Sequence, residues 1–315
     1  MTGEFTFAAS DGRAKIFVRR REPEVPALGI VLIVHGIAEH SGRYLPFMDF
    51  LADNGFVSVC FDLIGHGKSV ISKEKLGCVP PEGGGWNFAV NDMKKLHDML
   101  YEERPELPFY IFGHSMGSFL TRTYLIDYPY ALDGAILCGT GQPPAFLVGT
   151  GIALSRTAAS VKGTANKSRF IERAVFGGYN KAFKPARTDY DWLSRDAAEV
   201  DKYVADPLCG FVPSAGLFRD MMGGIKYISS AKNHAAMNKD LKVLFISGAM
   251  DPVGENGKGV SRTYSLFKKA GMKNISMRIY EDCRHELLNE LNKTEVMDDV
   301  LAWLLKASER ENAGL

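Results

Sequence analysis

Short apolar runs at residues 30–34, 57–61, 109–112, 135–138, 243–247 and 275–280 recur along the chain, with longer amphipathic stretches between them. Runs of this length without polar alternation fit strands covered on both faces, so the pattern predicts a mostly parallel central sheet flanked by helices. Helical spacing predicts the covering helices at 88–103, 116–128, 258–270 and 294–305. Ahead of the first buried run, residues 6–7 and 15–18 predict an antiparallel hairpin closed around Ser10, Asp11 and Gly12.

From Gly141 to about His234 this alternation stops. A structureless loop of that length does not suit a compact chain. Helical stretches at 168–176 and 192–203 instead predict a helical cap inserted between two strands. The expected organisation is an α/β core of residues 1–140 and 237–315 with a cap, or lid, at 141–236. No internal repeat or low-complexity tract interrupts it.

Composition narrows the function classes. With 315 residues, 46% hydrophobic and 24% charged, the chain can bury one large core carrying an insertion. A net charge of +1 leaves no electrostatic footprint for nucleic acid. Cys60, Cys78, Cys138, Cys209 and Cys283 are odd in number, scattered and without a C-x-x-C pair, which suggests neither a disulfide framework nor a zinc site. A cytoplasmic setting is the simplest fit. Residues 1–20 alternate apolar and polar positions and read as strand rather than signal peptide. The apolar stretch 131–154 is broken by Gly134, Gly139, Gly141, Pro143 and Pro144, which argues against a spanning helix.

The strongest chemical signal is Gly113-His114-Ser115-Met116-Gly117, which follows a predicted strand and opens a predicted helix. This is the context a G-x-S-x-G nucleophile elbow requires. A sharp turn lifts the hydroxyl above the sheet, and the helix start aims backbone N–H groups at developing negative charge. A serine hydroxyl is a weak nucleophile at neutral pH, so a base must take its proton and a carboxylate must orient that base. Asp251 follows the strand 243–247, and His285 follows the strand ending at Tyr280, giving the order Ser, Asp, His. Glu255 is the substitute acid. Of the other histidines, His97 lies on a charged helix, His234 at the cap exit, His66 in a turn, and His114 within the elbow, where its ring points away from the chemistry.

An acyl-transfer intermediate needs two backbone donors. Met116, next to the nucleophile, supplies one, and Ile37, following the flexible Gly36, supplies the other. His35, Glu39 and His40 read as hydrogen bonders that fix this loop. Gly67-Lys68-Ser69 imitates the tail of a phosphate loop, but Asp62 occupies the earlier glycine position. No G-x-G-x-x-G follows a strand and no clustered Cys/His set occurs, so no cofactor and no metal is implied.

The cap is charge-segregated. Residues 151–188 hold Arg156, Lys162, Lys167, Arg169, Arg173, Lys181, Lys184 and Arg187 against Glu172 alone, while Asp189, Asp191, Asp196, Glu199, Asp201 and Asp206 dominate the stretch after it. The preceding segment, Ala145 to Leu154, is apolar and suits an acyl channel or a lipid surface. A basic stretch beside it can attract an anionic lipid surface or a phosphate head group. The alternatives are a lid helix packed on the core and a solvated helical face.

His35-Gly36-Ile37-Ala38-Glu39-His40-Ser41-Gly42-Arg43-Tyr44, Asp62 through Ser69, the elbow with Ser118, and the surroundings of Asp251 and His285 together resemble the monoacylglycerol lipase and lysophospholipase branch of the α/β-hydrolases. The resemblance covers about residues 29–140 and 241–306. It implies a cap over the active site, an oxyanion hole from Ile37 and Met116, and hydrolysis of a single-chain acyl ester such as a monoacylglycerol or a lysophospholipid. The cap matches less well; its Asp191-Trp192-Leu193-Ser194-Arg195-Asp196 and Asp206-Pro207-Leu208-Cys209-Gly210-Phe211 look like bacterial lysophospholipase-like hydrolases. A broad-specificity carboxylesterase, a thioesterase and a non-catalytic ligand-binding relative stand as alternatives. A receptor usually loses a triad residue, and a different enzyme on the same elbow, an epoxide hydrolase or dehalogenase, would carry Asp where this chain has Ser115.

Overall fold

The computed structural model describes residues 3–309. The first two residues of the predicted N-terminal strand and the last six of the predicted core segment lie outside these. Eight strands form one sheet in the order β1-β2-β4-β3-β5-β6-β7-β8. They are β1 (Gly3–Ala8), β2 (Lys15–Arg21), β3 (Gly29–Val34), β4 (Phe56–Phe61), β5 (Phe109–His114), β6 (Gly134–Cys138), β7 (Lys242–Gly248) and β8 (Ile275–Tyr280). From β4 to β8 all neighbours are parallel, whereas β2 is antiparallel to both β1 and β4. The hairpin strands outrun the short segments expected from sequence because β2 also pairs with β4, with Val18 opposite Phe61.

The helices are α1 (Leu45–Asp53), α2 (Gly85–Glu103), α3 (Met116–Asp127), α4 (Ala145–Lys162), α5 (Arg169–Phe176), α6 (Ala197–Ala205), α7 (Ala215–Ile228), α8 (Ala231–His234), α9 (Lys258–Lys269) and α10 (Lys293–Ser308). Period-two geometry splits each buried strand between two cores. In β3, Ile30, Leu32 and Val34 join Met93 and Leu96 of α2, Leu120 of α3 and Phe267 of α9. Val31 and Ile33 turn to the other face and meet Phe47 and Leu51 of α1 and Val300 and Leu304 of α10. Burial on both faces is why these runs are continuously apolar.

Between β6 and β7 the chain leaves the sheet for α4 to α8. The buried guanidinium of Arg122 on α3 ties both ends of this excursion down, donating to the Gly141 carbonyl at 2.8 Å and the Ile228 carbonyl at 3.2 Å. One expectation fails here. The stretch 192–203 is not a single helix: Asp196 accepts from the N–H groups of Ala198 and Glu199, so α6 begins only at Ala197. Residues 190–196 form an irregular strap. No described helix is long and apolar enough to cross a membrane.

Candidate active site

Ser115 sits between β5 and α3 with φ 52° and ψ −120°, a backbone conformation non-glycine residues rarely adopt. The neighbouring glycines are required by close approach. A Cβ on Gly113 would lie 2.4 Å from Thr121 Oγ1, and one on Gly117 would lie 2.0 Å from the Val34 carbonyl oxygen. The start of α3 therefore abuts the loop after β3. In the same way Gly36 faces the nucleophile candidate: a Cβ there would be 3.0 Å from Ser115 Cβ. These contacts bring the segments carrying Met116 and Ile37 together around Ser115.

Asp251 and His285 come from loops at the carboxyl ends of β7 and β8. His285 Nδ1 lies 2.9 Å from Asp251 Oδ1, and both residues are buried. The same carboxylate accepts from the Val253 N–H at 2.8 Å and from Ser247 Oγ at 3.4 Å, which fixes its orientation. Glu255 is elsewhere, paired with Arg262 and substantially exposed. Ser115 and His285 flank the same short piece of chain. The Ser115 N–H donates to the Cys138 carbonyl at 2.9 Å, and a Cβ on the next residue, Gly139, would be 3.0 Å from His285 Cε1.

The loop after β3 is held by a buried charge network. Glu39 Oε1 accepts from the Gly36 N–H at 2.6 Å, the Tyr44 hydroxyl at 3.0 Å and His114 Nδ1 at 3.0 Å. Arg43 donates to Glu39 Oε2 at 2.9 Å and forms a two-pronged pair with Glu286 at 2.6 Å. Burial opposes charge on Glu39, but the His114 hydrogen bond and the Arg43 guanidinium outweigh it and hold the carboxyl well below its usual range. Burial likewise opposes charge on His114, and Glu39 raises it above the ordinary histidine value. His35 Nε2 accepts from the Leu63 N–H at 2.9 Å, and burial holds that ring's pKa down. The three residues read from sequence as loop-fixing do hold this loop, but the His114 ring does not point away from the chemistry as expected: it turns into the network, 4.8 Å by ring centroids from His285, because Glu39 draws its Nδ1 inward.

A cavity of about 540 Å³ lies against this network, lined by His40, Arg43, His114 and Glu286 among others; Ser115, Asp251 and His285 do not line it. At its rim His40, Asp206 and Cys209 place possible ligand atoms within 4.8 Å of one another. The Gly42 N–H donates to His40 Nδ1 at 3.1 Å, which leaves the ring proton on Nε2, facing Asp206 Oδ2 at 2.9 Å. Burial raises the Cys209 thiol well above its ordinary pKa. His40 and Asp206 form a hydrogen-bonded bridge from the β3 loop to the helical excursion.

The segment from Ala145 to Leu154 falls on α4. Phe146 and Leu147 are 71% and 52% exposed, Val148 is buried, and Ile152 and Leu154 pack partly against the core. The structure also reveals neighbours that sequence reasoning did not place. The Trp192 ring lies 5.1 Å from that of His285, and Tyr179 packs edge-on against Trp192 at 4.9 Å. The only sequence signal for Trp192 was its distinctive motif, 191–196.

A mostly parallel eight-stranded sheet, with a serine at the strained turn between β5 and α3 and a buried Asp–His pair at the ends of β7 and β8, defines an α/β-hydrolase. The chain belongs to the Hydrolase_4 family, described as serine aminopeptidase, S33, which matches residues 26–292. It is 25% identical over 304 residues to a monoacylglycerol lipase of Mycolicibacterium smegmatis, covering 96% of each chain. To a monoglyceride lipase of Mus musculus it is 26% identical over 294 residues, covering 92% of this chain and 86% of the other. Among solved structures, a highly thermostable carboxyl esterase from Bacillus coagulans in complex with glycerol superposes with a TM-score of 0.91 at 26% identity, covering 98% of this chain and 99% of that one. The chain is a serine ester hydrolase, similar over nearly its whole length to these lipases.

Proposed function

We propose that this hydrolase cleaves the carboxylic ester of a single-chain acyl lipid through an acyl-enzyme on Ser115. The observation that carries the reading is the 2.9 Å pair of Asp251 and His285, buried beside the strained turn that presents Ser115. In this reading Ser115 Oγ attacks the ester carbonyl while its proton passes to His285 Nε2, and Asp251 orients the ring and offsets the charge it gains. The carbonyl oxygen, now negative, accepts from the N–H groups of Ile37 and Met116. Collapse expels the alcohol, which takes the proton from His285, and water then releases the acid by the reverse sequence. Residues 141–236 act as a cap whose segment from Ala145 to Leu154 meets the acyl chain.

A monoacylglycerol is the favoured substrate. The names of the relatives and the glycerol held by the carboxyl esterase support it. A lysophospholipid is the second reading, with the cap resting on an anionic lipid surface. Phe146, Leu147, Val161 and Phe170 are exposed on α4 and α5, and Lys162, Lys167 and Lys184 have no ion pair among the described residues.

The test is a chain-length series of monoacylglycerols and p-nitrophenyl esters, with wild type and Ser115→Ala. Turnover that peaks at one acyl length, an acyl adduct on Ser115 by mass spectrometry and loss of both in the variant are expected. A variant at full rate overturns the nucleophile. Faster, salt-sensitive hydrolysis of micellar lysophospholipid would favour the second reading, and thioesters turned over in preference to oxygen esters would overturn both.

A further inference from the structure

The motif Asp191-Trp192-Leu193-Ser194-Arg195 has no part in the proposed chemistry, yet the fold stitches it to the loop bearing His285. The His285 N–H donates to the Trp192 carbonyl at 3.4 Å and the Glu286 N–H to the Leu193 carbonyl at 2.8 Å. Arg284 donates to the Ser194 carbonyl at 3.0 Å and to that of Asp191. Arg195 Nε reaches the buried Glu290 at 2.8 Å, and Ser194 Oγ donates to the Asn289 carbonyl at 2.7 Å. On the other side, the Trp192 N–H donates to Asn180 Oδ1 at 2.8 Å, and Tyr179 supports the indole. So many bonds into a single loop make this strap a fixed wall of the site, in contrast to the exposed α4 and α5.

Resting on the reading of His285 as the base, we infer that Trp192 is a positioning residue for it, holding the imidazole in place and stabilising the imidazolium formed when Ser115 gives up its proton. The indole centroid is 5.1 Å from that of His285 with the rings tilted by 37°, within the range where an aromatic ring attracts a cation. The ring proton transfer needs that help, because the surroundings are mixed in charge. Asp251 bonds Nδ1, His114 lies 4.8 Å away by ring centroids with its pKa raised by Glu39, and Glu286 next along the chain is committed to Arg43. Tyr179 packs edge-on against the indole at 4.9 Å by ring centroids. Charge on His114, which Glu39 favours, works against a second positive ring beside it, and the indole offsets this without adding charge.

The test compares Trp192→Leu and Trp192→Phe with wild type on soluble p-nitrophenyl butyrate, following kcat, KM and the acid limb of the pH–rate profile. The leucine variant should lose roughly tenfold in kcat, equivalent to about 1.4 kcal/mol, with KM within about twofold and the acid limb moved to lower pH. Phenylalanine, a weaker π-face of similar shape, should fall between the two in both readouts. If the leucine variant does not fold, the phenylalanine variant decides: a kcat roughly threefold down with a shifted limb supports the role. Wild-type kcat and limb in a folded variant, or an effect on KM alone, overturns it. Ser115→Ala assayed in parallel separates the failures, since an active Ser115→Ala sinks the underlying mechanism, whereas an inactive one beside unaffected Trp192 variants sinks this inference only.

Discussion

Glu39 Oε1, on the loop after β3, and His114 Nδ1, at the end of β5 next to the candidate nucleophile, meet at 3.0 Å and are both buried. The contact joins the loop carrying Ile37 to the turn carrying Ser115, so the two proposed backbone donors and the hydroxyl are held as one unit. Glu39→Gln should loosen that unit and strip His114 and Arg43 of a buried partner, at about 3 kcal/mol of stability. The pH dependence follows from the directions of the shifts. A depressed Glu39 stabilises the fold above the ordinary carboxylate value and loses this as pH falls through its lowered pKa; a raised His114 stabilises below the ordinary histidine value and loses this as pH rises through its raised pKa. The pair's contribution should therefore be fullest between roughly pH 4.5 and 6.5, and denaturant titrations across pH should show the glutamine variant lacking both flanks.

Gly36→Ala probes the same unit sterically. The added Cβ would sit 2.6 Å from Glu39 Oε1 and 3.3 Å from His114 Nδ1, besides its contact with Ser115. The loop must shift, and a displaced oxyanion donor is expected to lower kcat by roughly 10²-fold with a smaller change in KM. Ester kinetics at fixed pH read this directly; an unchanged kcat would show that the loop does not serve the intermediate.

Asp251→Asn and Glu255→Gln separate the two candidate acids. Asparagine can no longer hold His285 in the required tautomer, and kcat should drop by roughly 10³–10⁴-fold with the fold intact. Glu255 pairs with Arg262 near the surface, so its glutamine variant should stay within about twofold of wild type. Reversal of these two outcomes would reassign the orienting acid.

Asp92 gives a test of stability away from the chemistry. Its Oδ1 accepts from the Ser10 N–H at 2.6 Å while Oδ2 is buried without a partner, and burial raises its pKa to about 6. A carboxyl raised in the folded state binds its proton more tightly there, so its contribution to stability falls as pH rises from about 4 to 6. Asp92→Asn should remove that decline and stabilise the protein at pH 8 by on the order of 2 kcal/mol. Equal melting curves for variant and wild type at pH 8 would refute this.

Much of the core was legible from the chain alone because its signals are local. Continuous apolar runs mark strands buried on both faces, and a strand leading into Gly-His-Ser-Met-Gly leaves the turn little freedom, whatever surrounds it. The order of Ser115, Asp251 and His285 along successive strands likewise placed all three at the carboxyl ends of their strands before any contact was known. The helical excursion resisted such reading. Its helices take their boundaries from long-range partners, and the residues before Ala197 stay irregular because Arg195 and Ser194 are bonded to Glu290 and Asn289 rather than to the next turn of a helix. Tertiary structure alone decided that Trp192 stands beside His285 and that His114 serves Glu39. Both relationships join residues distant in sequence, and no periodicity or spacing encodes which buried ring will face which partner.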